Sequence, residues 1–368
     1  MSLAGRIGLP VAMLALSVSL PSTAQEAPPR YFQESDSKLH LEFQWDALAW
    51  YDNVEHWKYY PPIDRGRFEF RPQVDLVVSP TLRFGVRGSF NYGTLPNEYN
   101  GYYEDNWLSR AAYVDRYFVQ WTPGAWTVQG GSFALPVAAS PMLWDKYNIQ
   151  TPGASASYAT SLSPESSLTF TGAGIYSAQH GPDESILGVG QVLWKAGDEN
   201  RFGVQASLAY WNMDMRHVAP EYYRENEMTL VDGQPAYRSK FELLDSLVRL
   251  QFPVARLPVT VSLDFVHNFG RVGNAGANAW ETGLLVGTVG TPRTFRAFVF
   301  YQYIGREALV GAYNTDEWWW HTWAKGYRFG VAYTILPLVY LEPAMVVQKR
   351  LDLDYWLTRV TVSLVKMF

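Results

Sequence analysis

The sequence predicts an all-β fold: a transmembrane, antiparallel, up-and-down β-barrel of about 16 strands, with short periplasmic turns and long extracellular loops. Three observations support this prediction. Apolar and polar residues alternate with a period of two in sixteen separate runs. Short and long connections alternate between these runs. Beyond residue 24, no stretch approaches the roughly 20 apolar residues that a membrane-spanning helix needs.

The composition fits a barrel and excludes several other classes. Hydrophobic residues make up 48% of the 368 residues, and the mean hydropathy of -0.15 is too polar for a helical membrane protein. The 15 Trp and 24 Tyr exceed what a core needs, and such an excess of amphipathic rings fits the two interfacial girdles of a barrel. Because the chain has no cysteine, disulfides, thiolate metal sites and cysteine catalysis are excluded.

The first 24 residues have the pattern of an export signal. Arg6 supplies a positive start, an apolar run from Ile7 to Leu20 is too short to span a membrane, and small residues precede a cleavage site after Ala24. We therefore predict a signal peptide at 1–24, a periplasmic N-terminal segment at 25–38 and an outer-membrane barrel at 39–368. Loss of Arg6 leaves 29 basic residues against 35 acidic ones, a net charge of -6 that is too small to indicate a nucleic-acid partner.

The first run shows the alternation clearly. Leu39, Leu41 and Phe43 alternate with polar residues over about ten positions, the length that a tilted transmembrane strand needs. The eighth run differs, because Leu187, Val189 and Leu193 place apolar side chains on its predicted inner face. The sixteen runs are predicted at 39–51, 67–78, 82–92, 109–122, 125–134, 154–162, 166–177, 185–195, 201–212, 241–252, 258–268, 278–289, 293–304, 326–335, 338–348 and 357–368.

The connections between the runs indicate the topology. Seven are short and mostly marked by proline or glycine, at 79–80, 122–124, 163–164, 196–198, 253–258, 290–292 and 336–337. Eight are mostly longer, at 52–65, 93–108, 135–153, 178–184, 213–240, 269–277, 305–325 and 349–356. Strict alternation puts one set on each side of a membrane and both termini on the periplasmic side. A soluble propeller or sandwich is the alternative, but no fixed repeat period occurs and the polar faces are too charged for a sandwich core.

The final run places two chemically different faces on one strand. Val360, Val362 and Leu364 share a face with the terminal Phe368, while residues such as Arg359 occupy the other face. Lys366 is a charged exception on the apolar face, and we expect it to extend towards the head groups. This ending resembles the C-terminal assembly signal of bacterial outer-membrane barrels. The resemblance implies the barrel assembly machinery, outer-membrane lipid and lipopolysaccharide as partners.

Charged residues on the polar faces are the candidate functional residues, because a sixteen-strand barrel is wide enough to leave an aqueous channel. Arg67, Arg71, Arg83 and Arg87 are predicted to form a cluster of four positive charges on two neighbouring strands. Charges on different walls would set up a field across the pore, or they would pair across strands and only hydrate the wall. The remaining predicted pore-lining residues are Arg116, Asp75, Asp245, Asp264 and Glu281.

Two long connections contain further candidates. Trp144, Asp145 and Lys146 lie in the connection 135–153, which mixes apolar and charged residues. By analogy such a loop folds inward and constricts the opening, and the alternative is an exposed cap. A Trp triplet at 318–320 could stack on solutes, although packing of loop on loop or anchoring at the interface is the favoured interpretation.

Four short segments carry a family resemblance. They are MLWDK at 142–146, TPG at 151–153, REALVGAYNTD at 306–316 and KGY at 325–327. Together with the strand rhythm, they resemble the bacterial "putative porin" group of outer-membrane proteins. The resemblance implies a channel with no catalytic residues to transfer, and porins of this size imply a homotrimer by analogy.

Enzyme motifs are missing from the sequence. The six histidines lie on separate segments, and neither GxSxG nor HExxH occurs. Asp316, Glu317 and His321 have a spacing that fits no standard metal site. We therefore predict no cofactor and no catalysis, but an outer-membrane porin that passes small hydrophilic solutes by diffusion. An anion-preferring, substrate-specific channel and a plugged barrel with a structural or secretion role are the alternatives.

Overall fold

The computed structural model describes residues 39–56, 63–94, 111–146, 148–177, 185–198, 201–213, 215, 224–273 and 276–367. Its strands are β1 (His40–His56), β2 (Ile63–Ser79), β3 (Leu82–Gly93), β4 (Ala112–Trp121), β5 (Trp126–Phe133), β6 (Thr151–Ser163), β7 (Ser166–Ser177), β8 (Ser185–Asp198), β9 (Phe202–Met213), β10 (Met228–Val231), β11 (Gln234–Tyr237), β12 (Phe241–Val254), β13 (Leu257–Asn268), β14 (Asn278–Gly287), β15 (Phe295–Ile304), β16 (Ala324–Leu336), β17 (Val339–Arg350) and β18 (Leu357–Lys366). Among these residues, no helix is long and apolar enough to cross a membrane.

Sixteen of these strands form one closed antiparallel barrel in which every strand pairs with its neighbours along the chain. The prediction of sixteen strands is confirmed, and each predicted run corresponds to one barrel strand. β10 and β11 stand apart as a two-stranded hairpin in the connection between β9 and β12. The barrel explains the period-two pattern, because successive side chains of a strand point to opposite faces of the wall.

The first and last barrel strands close the wall. β1 pairs with β18 from Ala47 opposite Lys366 to His56 opposite Leu357, so that no strand edge is left open there. The Lys366 ammonium lies 4.7 Å from the centre of the Trp45 ring on β1, a cation–π contact across the closing seam. The predicted assembly residue Phe368 lies outside the described residues.

The two faces of the wall differ in chemistry. On β3, Phe84, Val86 and Phe90 are exposed on one face, whereas Arg87 and Ser89 of the alternate face are buried. Exposed apolar and aromatic side chains recur in this way around the barrel. A closed barrel buries its inner face, so the apolar side chains lie outside and the polar side chains lie inside.

Two predicted connections differ from the structure. The connection at 52–65 is shorter than predicted, because β1 continues to His56 and β2 begins at Ile63. Sequence reasoning also missed the β10–β11 hairpin. Asp232 and Gly233 both have positive φ at its turn, and an Asp-Gly pair of this kind is a strong hairpin signal in a sequence.

Near the end of β5, a glycine with positive φ precedes the point where the chain turns into the barrel interior. Gly131 has a φ of +117°, and a Cβ there would lie 2.2 Å from the carbonyl oxygen of Tyr117. Only glycine fits such a close approach. Immediately afterwards Ser132 and Phe133 are both buried, which breaks the inside-outside alternation. The connection that follows therefore begins on the inner side of the wall.

The main hydrophobic core lies inside the barrel. Apolar side chains of the connections 134–150 and 305–323 pack there against wall residues such as Leu187, Val189 and Trp211. Leu193 packs with Ala138 and Leu247 in a neighbouring cluster. The apolar inner face of β8 thus has a physical reason: it is covered by a loop rather than by water.

Candidate functional site

The inner faces of β1, β2, β3, β4 and β18 form a wall rich in arginine, which we call the arginine wall. The four arginines predicted as a cluster all lie on it, as does Arg116. Asp75 was expected on another wall, but it belongs to this one, because it lies on β2 and pairs with Arg83. Sequence reasoning missed other members. The charged residues of the arginine wall are Asp46, Asp52, Arg65, Arg67, Glu69, Arg71, Asp75, Arg83, Arg87, Asp115, Arg116 and Arg359.

Three of the four predicted arginines are paired with carboxylates of neighbouring strands. Arg71 Nε donates to Asp46 Oδ1 at 2.7 Å, and Arg83 forms an ion pair with Asp75. Arg87 Nε lies 3.0 Å from Asp115 Oδ2. Such pairs hold the side chains against the wall and reduce the net charge that the wall presents.

The fourth predicted arginine lies in a different environment. The Arg67 guanidinium is 4.3 Å from the Trp50 ring centre and 3.8 Å from Asp52. The Asp52 carboxylate also forms ion pairs with Arg65 Nε and Arg359 Nη2, each at 2.8 Å. One buried carboxylate therefore serves three guanidinium groups, and positive charge is locally in excess.

Arg116 and the bulge beside it connect the wall to a loop. β4 pairs with β3 as Arg87 opposite Arg116 and then Gly88 opposite Val114, which leaves Asp115 as an extra residue. The bulge lets Asp115 meet Arg87 while Arg116 Nε donates to Gln150 Oε1 at 3.2 Å. Arg116 thus holds the end of the connection before β6.

The predicted acids of the later strands form a second wall, the acidic wall, which consists of Asp245, Asp264 and Glu281 on β12, β13 and β14. They are 0%, 1% and 6% exposed, and Asp264 lies directly opposite Glu281 in the strand pairing. Counted either way around the sixteen strands, β12 lies eight strands from β2. The two walls therefore face each other across the barrel.

The connection 134–150, which we call the inner loop, crosses the barrel interior. The Gln191 amide of β8 binds the backbone of Ala138 through both its nitrogen and its oxygen, at 2.7 and 2.8 Å. The Ser140 amide donates to Asp264 Oδ2 at 3.1 Å, so that the acidic wall anchors the loop. Of the two alternatives left by the sequence, the inward-folded loop is the one observed, and the exposed cap is not.

The three predicted constriction residues have different surroundings. Trp144 is 2% exposed and stacks on Tyr313 and on Trp211 of β9. Asp145 is buried, and its backbone amide donates to the Tyr313 carbonyl at 2.6 Å. Lys146 is partly buried, and its carbonyl accepts a hydrogen bond from the Gln150 side chain.

Burial changes the acidity of Asp145. Removal from water raises the pKa of this carboxyl to about 7, although two hydrogen bonds from Asn148 act in the opposite direction. The charge of Glu317 adds to the rise. Asp145 is therefore a titratable group of the inner loop that changes charge near neutral pH.

Comparisons with known proteins concern the fold. No protein-family model matches the chain, and no curated protein matches it. OprB of Pseudomonas putida, in a structure at high pH, is 11% identical with a TM-score of 0.63, and the match covers 89% of this chain and 94% of OprB. OmpF of Salmonella typhi, in complex with daunomycin, is 11% identical with a TM-score of 0.51, covering 89% and 97%. A loop L8 deletion mutant of OmpT, an outer membrane protein of Vibrio cholerae, is 9% identical with a TM-score of 0.53, covering 90% and 99%.

The chain has the fold of these porins. In this barrel, a second connection joins the inner loop inside the wall. Residues 305–323, which we call the second loop, are almost entirely buried, and Trp319 and Trp320 donate their backbone amides to Gln348 Oε1 of β17 at 3.0 and 2.8 Å. The three tryptophans at 318–320 pack against wall residues, and Trp320 also contacts Tyr355 of the connection before β18, so packing of loop on loop is confirmed for Trp320.

Several important residues of the barrel interior were missed by sequence reasoning. Arg65 was assigned to a connection because the start of β2 was placed too late. Arg359 and Asp52 lie far apart in the chain, and only closure of the barrel brings them together. The only sequence signal for the inward position of Arg359 was its place on the polar face of the last strand.

Proposed function

We propose that this chain is a bacterial outer-membrane porin that lets small hydrophilic solutes or ions diffuse through its barrel. One observation carries the proposal: a closed barrel of sixteen strands has apolar side chains outside and charged side chains inside. An apolar exterior belongs in lipid, where a closed barrel satisfies every backbone hydrogen bond of the wall. The fold shared with outer-membrane porins supports the same conclusion.

Export and assembly complete the proposal. The signal peptide at 1–24 would be removed, and the segment 25–38 would remain in the periplasm. The short turns would face the periplasm and the long connections would face outward. The barrel assembly machinery would insert the barrel next to lipopolysaccharide and lipid, and three copies would associate. The bacterial outer-membrane location is supported by the fold and by the apolar exterior.

The two charged walls would line the diffusion path. The arginine wall and the acidic wall face each other, so the charges that they carry would act across the interior. Most of these side chains are less than a tenth exposed, so a passage at their level would be narrow. We expect small solutes to pass and large ones to be excluded.

Specific observations favour each of two other functions. Three arginines around Asp52 favour an anion-preferring channel, because positive charge exceeds negative charge there. Contact between the inner loop and the second loop favours a plugged barrel with a structural or secretion role. The three functions differ in conductance and in ion preference.

Planar bilayers with a salt gradient test all three functions. The purified, folded barrel should produce discrete conductance steps, and the sign of the reversal potential gives the preferred ion. Protein that has been heat-denatured, as judged by its shifted electrophoretic mobility, is the control. Folded barrel without conductance steps would contradict the porin function and support the plugged barrel. A strong anion preference would support the second function.

A further inference from the structure

Residues 224–227, just before β10, contact the second loop, and we call them the clamp. Arg224 and Asn226 are each 1% exposed. Arg224 and Glu225 both have left-handed backbone, with φ of 45° and 62°. Non-glycine residues adopt this conformation at a cost, so the surrounding contacts must hold it in place.

Asn226 binds the backbone of the second loop with its whole amide group. Its nitrogen donates to the carbonyls of Arg306 at 2.7 Å and Leu309 at 2.9 Å. Its oxygen accepts from the amide of Gly311 at 2.9 Å. These three bonds satisfy backbone groups that would otherwise be buried without partners.

Arg224 and Glu225 hold the far end of the second loop. Glu225 Oε2 accepts from the backbone amides of His321 at 3.1 Å and Thr322 at 3.3 Å. The Thr322 hydroxyl donates to the Arg224 carbonyl at 3.1 Å. The clamp therefore binds both the beginning and the end of the second loop.

The second loop in turn holds the inner loop. The Asp145 amide donates to the Tyr313 carbonyl at 2.6 Å, and the Thr315 amide donates to the Pro141 carbonyl at 2.9 Å. The Trp144 and Tyr313 rings also stack on each other. The clamp thus acts on the inner loop through the second loop, in addition to the wall contacts that Gln191, Asp264 and Gln348 make with the two loops.

We propose that the clamp sets the aperture of the channel. While it is closed, the second loop stays inside the barrel and keeps the inner loop across the interior. When the clamp is released, the second loop moves from its position inside the barrel, the inner loop loses one of its partners and the passage widens. This inference rests on the proposed channel function, and its test separates failure of the clamp from failure of the channel.

A reversible disulfide tests the clamp directly, because the chain has no native cysteine. A Cβ at Gly311 would lie 2.9 Å from the Arg224 Cβ, and a small shift would reach the roughly 3.5–4.5 Å of a disulfide. The double variant Arg224→Cys/Gly311→Cys should show the closed conductance when oxidised. Reduction with dithiothreitol should raise the open fraction roughly tenfold, because the reduced variant also lacks the contacts of the Arg224 side chain with Asp316 and His321, worth about one or two net hydrogen bonds.

Two amide deletions in the same connection provide a second test. Asn226→Ala removes the buried amide and should raise the open fraction, whereas Gln234→Ala removes an exposed amide from β11 and should not. Heat-modifiable electrophoresis checks that each variant is folded. Each single-cysteine variant should be insensitive to dithiothreitol.

The outcomes are distinguishable. Suppose that the wild type conducts, and that neither the redox state of the double-cysteine variant nor Asn226→Ala changes the conductance. The proposed role of the clamp is then wrong, and the porin function stands. If the folded wild type is silent but conducts after release of the clamp, the clamp is supported and the wild-type barrel is a closed one. If every folded form is silent, both proposals are wrong.

Discussion

The Trp144 ring of the inner loop stacks on the Tyr313 ring of the second loop, with ring centres 4.8 Å apart and planes inclined by 22°. Trp144 also stacks on Trp211 of β9, at 5.7 Å and 27°. The three rings form a column that joins two loops to the barrel wall. Offset aromatic stacking adds about 0.5–1.5 kcal/mol per pair beyond the burial of area.

Tyr313→Ala should loosen both loops. Tyr313 is fully buried, and truncation of a buried aromatic residue costs about 3–5 kcal/mol. We expect a higher and noisier single-channel conductance and a lower temperature of the heat-induced mobility shift. Tyr313→Phe keeps the ring and should stay close to the wild type. Equal conductance of the Ala and Phe variants would show that the ring column does not position the loops.

The titration of Asp145 should make the inner loop pH-dependent. Its pKa is raised from 3.8 to about 7 by burial, so the closed loop binds its proton more tightly than an open loop does. The contribution of Asp145 to closure is complete below pH 3.8, declines as the pH rises towards 7 and is lost above that. The Asp145→Asn variant should lack this decline when open fractions are recorded between pH 4 and pH 8.

His321 acts in the opposite direction and must be separated from Asp145. Burial, together with the charges of Arg224 and Arg359, lowers the pKa of His321 below its usual 6.5. Its ring also lies beside Asn314 and 3.9 Å from Asp316, while Glu225 binds its backbone. The closed second loop is therefore fully stabilised above pH 6.5 and loses stability below it. Asp145→Asn should be compared in a His321→Gln background, where a remaining decline between pH 4 and pH 7 would contradict the role of Asp145.

An epitope tag should be accessible to antibody in the β10–β11 hairpin but not in the second loop. Asp232 and Gly233 form an exposed turn, whereas Tyr313 is fully buried in the second loop. An epitope inserted after Gly233 should be bound by antibody on intact cells if the long connections face outward. An epitope after Tyr313 should disturb folding or stay hidden, contrary to the simple expectation that every long connection is accessible. A Gly233 tag that is detected only after lysis would reverse the topology.

The strands were readable from the sequence, and the folded loops were not. A barrel strand repeats every two residues, so pairs such as Phe84 and Val86 against Arg83 and Arg87 reveal both the strand and its faces. The loops have no such period, and their positions come from single contacts such as Ser140 with Asp264. Contacts between residues more than a hundred positions apart leave no local pattern.

The charge state of the interior was also beyond sequence reasoning. Arg67, Arg71, Arg83 and Arg87 lie on the same inner wall, because alternation along a strand fixes the face of each side chain. Their pairing depends on register, which a one-residue shift would change completely. The Arg71 pair with Asp46 and the Arg87 pair with Asp115 follow from the observed register and from the bulge on β4.

Arg83 and Arg87 provide the sharpest test of charge preference. Their side chains are 13% and 3% exposed and are paired with Asp75 and Asp115. Replacement of both arginines with Gln removes two positive charges and leaves these two carboxylates uncompensated. We therefore expect the reversal potential in a salt gradient to shift towards cations, with most of the shift coming from the more exposed Arg83.

Salt and a charge-conserving control distinguish a field effect from a change in fold. The screening length is about 10 Å at 0.1 M salt and about 3 Å at 1 M, so the shift should be larger at low salt. Arg83→Lys/Arg87→Lys keeps both charges but loses the fork geometry, and it should leave the reversal potential nearly unchanged. An unchanged reversal potential of the Gln variant at low salt would mean that these arginines only brace the wall. The paired charges would then contribute to stability rather than to ion preference.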